Sequence, residues 1–141
     1  MKRKQRTQIL IEDQTGLLGE LATHAQALFP IEILEEPHLG LMMSPVRESA
    51  QKSLFYLGEV LVTKARVRVN RQIGLGILSG EDYEKALHLA MIDVAYPLLT
   101  TSQLLEWDAL LLKAEEQIVK QRKRYQSQLN KTKVSFDTME V

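Results

Sequence analysis

The order of apolar patterns along the chain predicts an α+β fold, in which helices at both ends pack on an antiparallel sheet. Helical spacing of apolar residues marks residues 15–28 and the region after residue 82, whereas alternating, β-branched segments fill most of residues 31–78. Because these strand-like segments follow one another without helices between them, we expect an antiparallel sheet of about four to five strands.

The N-terminal side is predicted to hold two helices. Apolar residues recur at three- and four-residue steps over 15–28, and Pro30 ends this pattern because proline cannot continue the hydrogen-bond ladder. A shorter helix is expected over residues 6–12. The basic residues 1–8 are expected to form a flexible N-terminus.

Prolines divide the first strand region. The alternation at residues 31–35 predicts a short strand that stops at Pro37, and residues 39–46 predict a second strand. Within it, Gly40 and Pro45 favour an edge position or a bulge.

The next two strands form a predicted hairpin. Residues 54–69 are too long for one flat strand, so a bend is expected at Gly58, where the missing side chain permits unusual dihedral angles. A turn at 70–72 then leads into a returning strand over 73–78.

Two helices follow the hairpin. Ser79, followed three residues later by an acid, is typical of a helix start, and the helix is expected to reach about Tyr96, before Pro97. A long helix is predicted over 102–129. Its second half is almost entirely polar, so we expect it to lie in solvent or on a partner.

The end of the chain alternates again and predicts a terminal strand. Such a strand needs a sheet edge, which a partner or the chain's own strand at 31–35 could supply. The candidate partner-interface residues are Val134, Phe136, Thr138 and Met139.

Composition indicates one globular domain, residues 1–141, with 45% hydrophobic and 26% charged residues. Eighteen basic and eighteen acidic side chains cancel, which argues against nucleic acid or acidic membranes as partners. The absence of cysteine excludes thiol catalysis and an iron–sulfur cluster. Without a membrane-length apolar run or a signal peptide, the expected location is the cytoplasm.

Motifs for self-contained chemistry are missing. The three histidines form no zinc-binding pair, and no phosphate-binding loop occurs, so neither a metal site nor a catalytic set is assigned. Gly74, Gly76 and Gly80 resemble a dinucleotide fingerprint, but the second gap is one residue too long. We interpret these glycines as positions that permit close backbone approach or a bulge.

Glu59 and Asp93 are the two acids of interest. Glu59 follows the expected bend, and Asp93 lies on a helix face with Ala86 and Ala90. An acid beside packed backbone is costly to bury unless it is hydrogen-bonded or paired. Each is therefore either a structural anchor or a carboxylate offered to an active site on another subunit.

Basic residues form three candidate contact surfaces. Lys64, Arg66 and Arg68 occupy alternate positions and therefore lie on one face of a strand. This face is either a contact surface for an anion or a partner, or an ordinary solvent-exposed face. Clusters at 2–6 and 120–124 are either solvated or contact an acidic protein surface or a triphosphate.

Four sequence patterns occur in the order of a known family. They are GEVLVTxAxVxV from Gly58, GxGxxxGxD from Gly74, AxxxAxxDxA from Ala86 and VxFxTM from Val134. Together they resemble the PhnG family, small subunits of the bacterial carbon–phosphorus lyase machinery that degrades phosphonates.

This resemblance implies a subunit of the core complex that is not catalytic alone. With the nucleosidase-like subunit PhnI, such proteins are associated with transfer of a ribosyl triphosphate from ATP to a phosphonate, releasing adenine. ATP and the phosphonate would be substrates of the complex, with no cofactor bound by this chain alone. The alternative is a stand-alone phosphonate- or anion-binding or regulatory protein; a stand-alone hydrolase ranks third.

Overall fold

The computed structural model describes residues 1–47 and 54–139, with side chains described for 1–43 and 58–132. This part of the chain contains four α-helices, one 3₁₀ turn and a three-stranded antiparallel sheet of order β1-β2-β3, which confirms the α+β class. The elements are α1 (Arg3–Glu12), α2 (Leu17–Leu28), β1 (Glu32–Arg47), β2 (Leu54–Val69), β3 (Gln72–Ser79), α3 (Tyr83–Ala95), the 3₁₀ turn (Tyr96–Leu98) and α4 (Thr101–Met139).

The strand count is lower than predicted, partly because Pro37 lies inside β1 and does not end it. The pairing of β1 with β2 shifts register between Glu35 and His38, so an irregularity accommodates the proline. β1 is an edge strand, where a missing N–H need not remove a ladder hydrogen bond. The two short strands predicted around Pro37 are therefore one strand.

The predicted terminal strand is also wrong, because α4 continues to Met139. No glycine or proline follows Pro97, so nothing in the sequence stops the helix once it has formed. Extending a helix is favourable relative to starting one, whereas a lone strand must find an edge. The side chains of Val134, Phe136, Thr138 and Met139 lie outside the described residues, and their proposed interface stays a prediction.

The predicted hairpin is confirmed, and the bend expected at Gly58 corresponds to a bulge in the pairing. Gly58 has a φ of 150°, and the pairing shifts register beside it, where Ser44 faces Gly58 and Pro45 faces Tyr56. β2 nevertheless remains one strand. It then turns through Asn70 into β3.

α3 packs directly on the backbone of β3. A Cβ atom added at Gly76 would lie 2.0 Å from the carbonyl oxygen of Ala86, and one at Gly74 would lie 2.3 Å from that of Ala90. The close approach is therefore confirmed for Gly74 and Gly76, whereas a Cβ added at Gly80, which has a φ of 86°, would meet no atom within 4 Å. The buried side chains of β2 complete this interface: Ala65, Val67 and Val69.

The N-terminal residues belong to the folded body. The structure places residues 3–8 in α1, where Arg6 is only 4% exposed, and not in a free tail. α1 and α2 pack with the first half of α4, whose Trp107 and Leu111 are fully buried.

Candidate functional site

Asp93 lies where α1, α3 and β3 meet. Its Oδ1 accepts from Arg3 Nε at 2.8 Å and from Arg6 Nη2 at 3.2 Å. Its Oδ2 accepts from Arg3 Nη2 at 3.0 Å and from the backbone N–H of Leu75 at 2.9 Å. Both oxygens thus have two donors each. This geometry fits the structural-anchor interpretation, because few acceptor positions remain for a substrate.

Arg6 is the buried partner of this carboxylate. Its guanidinium lies 4.2 Å from the centre of the Tyr96 ring, a cation–π contact, and bonds to Asp93. Burial lowers the pKa of Arg6, and the charge of Asp93 opposes that shift. A buried guanidinium requires such a partner, so Arg6 and Asp93 depend on each other.

Tyr96 extends this network to α4 and to the N-terminus. Its hydroxyl donates to Asp108 Oδ1 at 2.6 Å and accepts from the N-terminal ammonium of Met1 at 3.1 Å. Burial, together with the hydrogen bond to Asp108, raises the pKa of Tyr96 to about 12. We call the whole set the Asp93 cluster: Arg3, Arg6, Asp93, Tyr96 and Asp108.

A groove of about 580 Å³ runs between α1 and β3, beside the Asp93 cluster. Its apolar lining includes Ile11, Leu75 and Ile77, and its polar lining includes Lys4 and Glu12. The groove can accept an apolar side chain or a short peptide. It contains no arrangement of a nucleophile with a base among its described lining residues.

The basic stripe on β2 lies on the side of the sheet opposite the core, because it alternates with buried residues. Arg68 bonds to Glu32 at 2.6 Å, and Arg66 lies 3.6 Å from Glu35. Lys64 faces His38 across the strands. Two of the three cations are therefore compensated by glutamates of β1, which favours an ordinary solvent face.

Glu59 lies on a different part of the molecule, which we call the β1–β2 ribbon (residues 41–47 and 54–61). β3 stops pairing with β2 at Val62, so the sheet is only two strands wide beyond that point. Glu59 is exposed and faces Met43, next to the facing pair Leu41 and Leu61. These three apolar side chains are 53%, 62% and 41% exposed, respectively.

The candidate acids and the basic stripe thus occupy separate places and form no common site. Asp93 lies at the junction of α1, α3 and β3, Glu59 lies on the ribbon, and the stripe lies on the outer face of β2. No group of three or more potential metal ligands occurs in the described ranges. Among the same residues, no helix has the length and apolar content needed to cross a bilayer.

Sequence reasoning missed Thr63, the buried polar residue that fixes the start of α3. Its hydroxyl donates to the carbonyl oxygen of Gly80 at 2.6 Å and accepts from the N–H of Asp82 at 3.1 Å. Asp82 then caps α3 through the N–H of Lys85. The N-cap of α3 is thus Asp82, three residues after the predicted signal at Ser79, because Ser79 still pairs with β2. A polar residue in an otherwise apolar strand face was the available clue.

A second missed contact joins α2 to α4. Trp107 donates from Nε1 to His24 Nδ1 at 2.9 Å. His24 therefore accepts the one polar hydrogen bond of a buried indole.

Comparison with known proteins identifies the class to which this fold and this sequence belong. Residues 1–140 match a family of phosphonate metabolism proteins. The family is PhnG, "phosphonate metabolism protein PhnG", and because the match spans almost the whole sequence, the chain belongs to it. A comparison with curated proteins gives no match.

Proposed function

We propose that this chain is a subunit of the carbon–phosphorus lyase core complex. There it would support ATP-dependent formation of a ribose 1-phosphonate 5-triphosphate with release of adenine, together with the nucleosidase-like subunit PhnI. ATP and the phosphonate are substrates of the complex, and this chain contributes no cofactor of its own. Because ATP is a substrate, we place the complex in the cytoplasm.

The β1–β2 ribbon is the observation that carries this proposal. Leu41, Met43 and Leu61 leave a large part of their apolar surface in water on one face of a narrow, two-stranded element. A two-stranded ribbon is marginally stable by itself. Contiguous exposed apolar surface is typical of a protein–protein contact. Because the chain belongs to a family of phosphonate metabolism proteins, we propose the phosphonate-degrading subunits as its partners.

The state of the two candidate acids supports a dependent role. Asp93 already accepts four hydrogen bonds within the chain, so it is poorly suited to act as a base. Glu59 is exposed on the ribbon, where a bound partner would meet it. Of the two, Glu59 is the acid that could reach a shared active site.

The alternative, a stand-alone anion-binding protein, has weaker support. Arg66 and Arg68 are already paired with glutamates. In the α1–β3 groove, Arg3 is held by Asp93, and the lining also includes the carboxylate of Glu12, which pairs with Arg122. Neither surface concentrates uncompensated positive charge as an anion site requires.

Co-expression with the other core subunits, followed by affinity purification, tests the proposal. We expect the wild-type chain to co-purify, and Leu41→Ser to lose the complex while its circular dichroism and melting temperature stay unchanged. The matched control is Ile73→Ser, which alters a side chain that is similarly exposed, at 57%, on β3 outside the ribbon. A wild-type chain that remains alone beside its co-expressed subunits contradicts the proposal.

A further inference from the structure

The second half of α4 leaves the folded body. At 1.5 Å per residue, the 39-residue helix is about 58 Å long. Trp107, Leu111 and Ala114 are buried in its first half, and Ile118 packs against the core. Every residue from 119 to 132 is exposed, and we call this segment the α4 extension.

The apolar face of α4 continues into the extension. Beyond Ile118, steps of four, three and four residues lead through Arg122 to Tyr125 and Leu129. Tyr125 is 64% exposed and Leu129 is 45% exposed, while Arg122 pairs with Glu12 of α1. The row of residues that packs α4 onto the core therefore continues beyond Arg122, and no described element covers it at Tyr125 and Leu129.

The charge of the extension is strongly one-sided. Residues 119–132 include five basic and no acidic side chains, although the whole chain has a net charge of zero. Lys120 and Arg124 are four residues apart, a spacing at which like charges destabilise a helix. A negatively charged neighbour would relieve this repulsion. The basic residues are Lys120, Arg122, Lys123, Arg124 and Lys131.

We propose that the α4 extension is a docking surface for an acidic, amphipathic helix of another subunit of the complex. The partner helix would pack its apolar residues on Tyr125 and Leu129, and its carboxylates would face the lysines and arginines on either side. This inference rests on the proposed function, because it assigns a contact within that complex.

The shape of the apolar surface favours a protein over a lipid surface or a nucleic acid. Tyr125 and Leu129 form a narrow row, about one residue per turn, flanked by Gln121, Gln126 and Gln128. Such a row matches the seam between two packed helices. A helix that lies in a membrane surface presents a wide apolar face, unlike this narrow row. A nucleic acid would be bound mainly through its phosphates, and such binding would give Tyr125 and Leu129 no role.

Two double variants test the inference in the co-expressed complex. Lys120→Glu with Arg124→Glu should weaken subunit binding roughly tenfold or more, with the largest effect at low salt. The control, Arg71→Glu with Lys113→Glu, makes the same charge change at exposed positions outside the extension. Tyr125→Ala with Leu129→Ala should weaken binding similarly, whereas Tyr83→Ala with Ile73→Ala, also exposed, should not.

The outcomes separate this inference from the proposed function. If the wild-type chain never joins the complex, both fail. If it joins and both extension variants bind as tightly as the wild type, only the docking surface is refuted. The docking surface is also refuted if the wild type binds phosphatidylserine vesicles or duplex DNA and the variants lose that binding while they still join the complex.

Discussion

Asp93 on α3 accepts a hydrogen bond of 2.9 Å from the backbone N–H of Leu75 on β3. β3 is an edge strand, and edge strands expose backbone groups that can pair with other chains. The carboxylate therefore closes one position of this edge. It reaches the strand because Gly74 and Gly76 let α3 approach to backbone contact.

Replacing Asp93 by asparagine should lower the free energy of unfolding by about 3 kcal/mol, because Arg6 would keep a buried charge without its counterion. Urea denaturation measures the change. Glu59→Gln is the matched control, and since Glu59 is exposed we expect a change within about 0.5 kcal/mol. Equal effects of the two substitutions would show that Asp93 is not an anchor.

Gly76→Ala should destabilise the fold by about 3 kcal/mol or more, because the new methyl group would overlap the carbonyl oxygen of Ala86. In contrast, Gly19→Ala in α2 meets no atom within 4 Å and should stabilise the chain by about 0.5–1 kcal/mol. Melting temperatures of the two variants measure this difference. A Gly76→Ala protein as stable as the wild type would rule out the close packing of α3 on β3.

Thr63→Val should cost about 1–3 kcal/mol, because the carbonyl of Gly80 and the N–H of Asp82 would lose their buried hydroxyl partner. Thr63→Ser keeps that hydroxyl and removes one methyl group, so its cost should be about 1 kcal/mol or less. Chemical denaturation compares the variants. If serine were as damaging as valine, the methyl group and not the hydroxyl would be what matters.

Tyr96 should make stability fall at alkaline pH. The pKa of Tyr96 rises from 10.0 to about 12 on folding. The protonated hydroxyl therefore makes its full contribution to the free energy of unfolding below pH 10, and this contribution is lost as the pH rises towards 12. Tyr96→Phe removes this contribution together with the bond to Asp108. The stability difference between wild type and variant, from denaturation at several pH values, should be constant below pH 10 and shrink above it. A constant difference through pH 11 would contradict the assignment.

The sequence predicted the features that depend on local spacing. The alternation over residues 54–78 predicted the hairpin, and the small residues Gly74 and Gly76 predicted the close approach of backbone at β3. The lack of apolar residues in the second half of α4 predicted that this half does not pack in the core. The α+β class of the fold also follows from the order of helices and strands along the chain.

Features set by distant partners could not be predicted. Arg6 is buried only because Asp93 and Tyr96, about ninety residues away, surround it. Pro37 stays in a strand because β1 is at the sheet edge. Residues 134–139 alternate as in a strand, but they belong to α4, because extending a helix that has already formed is favourable. Asp93 and Glu59 looked alike in sequence, and only the donors around Asp93 separate them.

Adenine release by the reconstituted core complex tests the central claim most directly. The subunits are mixed with ATP and methylphosphonate, with and without this chain, and free adenine is measured by chromatography. We expect release to require this chain, and the chain alone to release none. Full adenine release by the other subunits without it, or release by the isolated chain, would contradict its role as a dependent subunit.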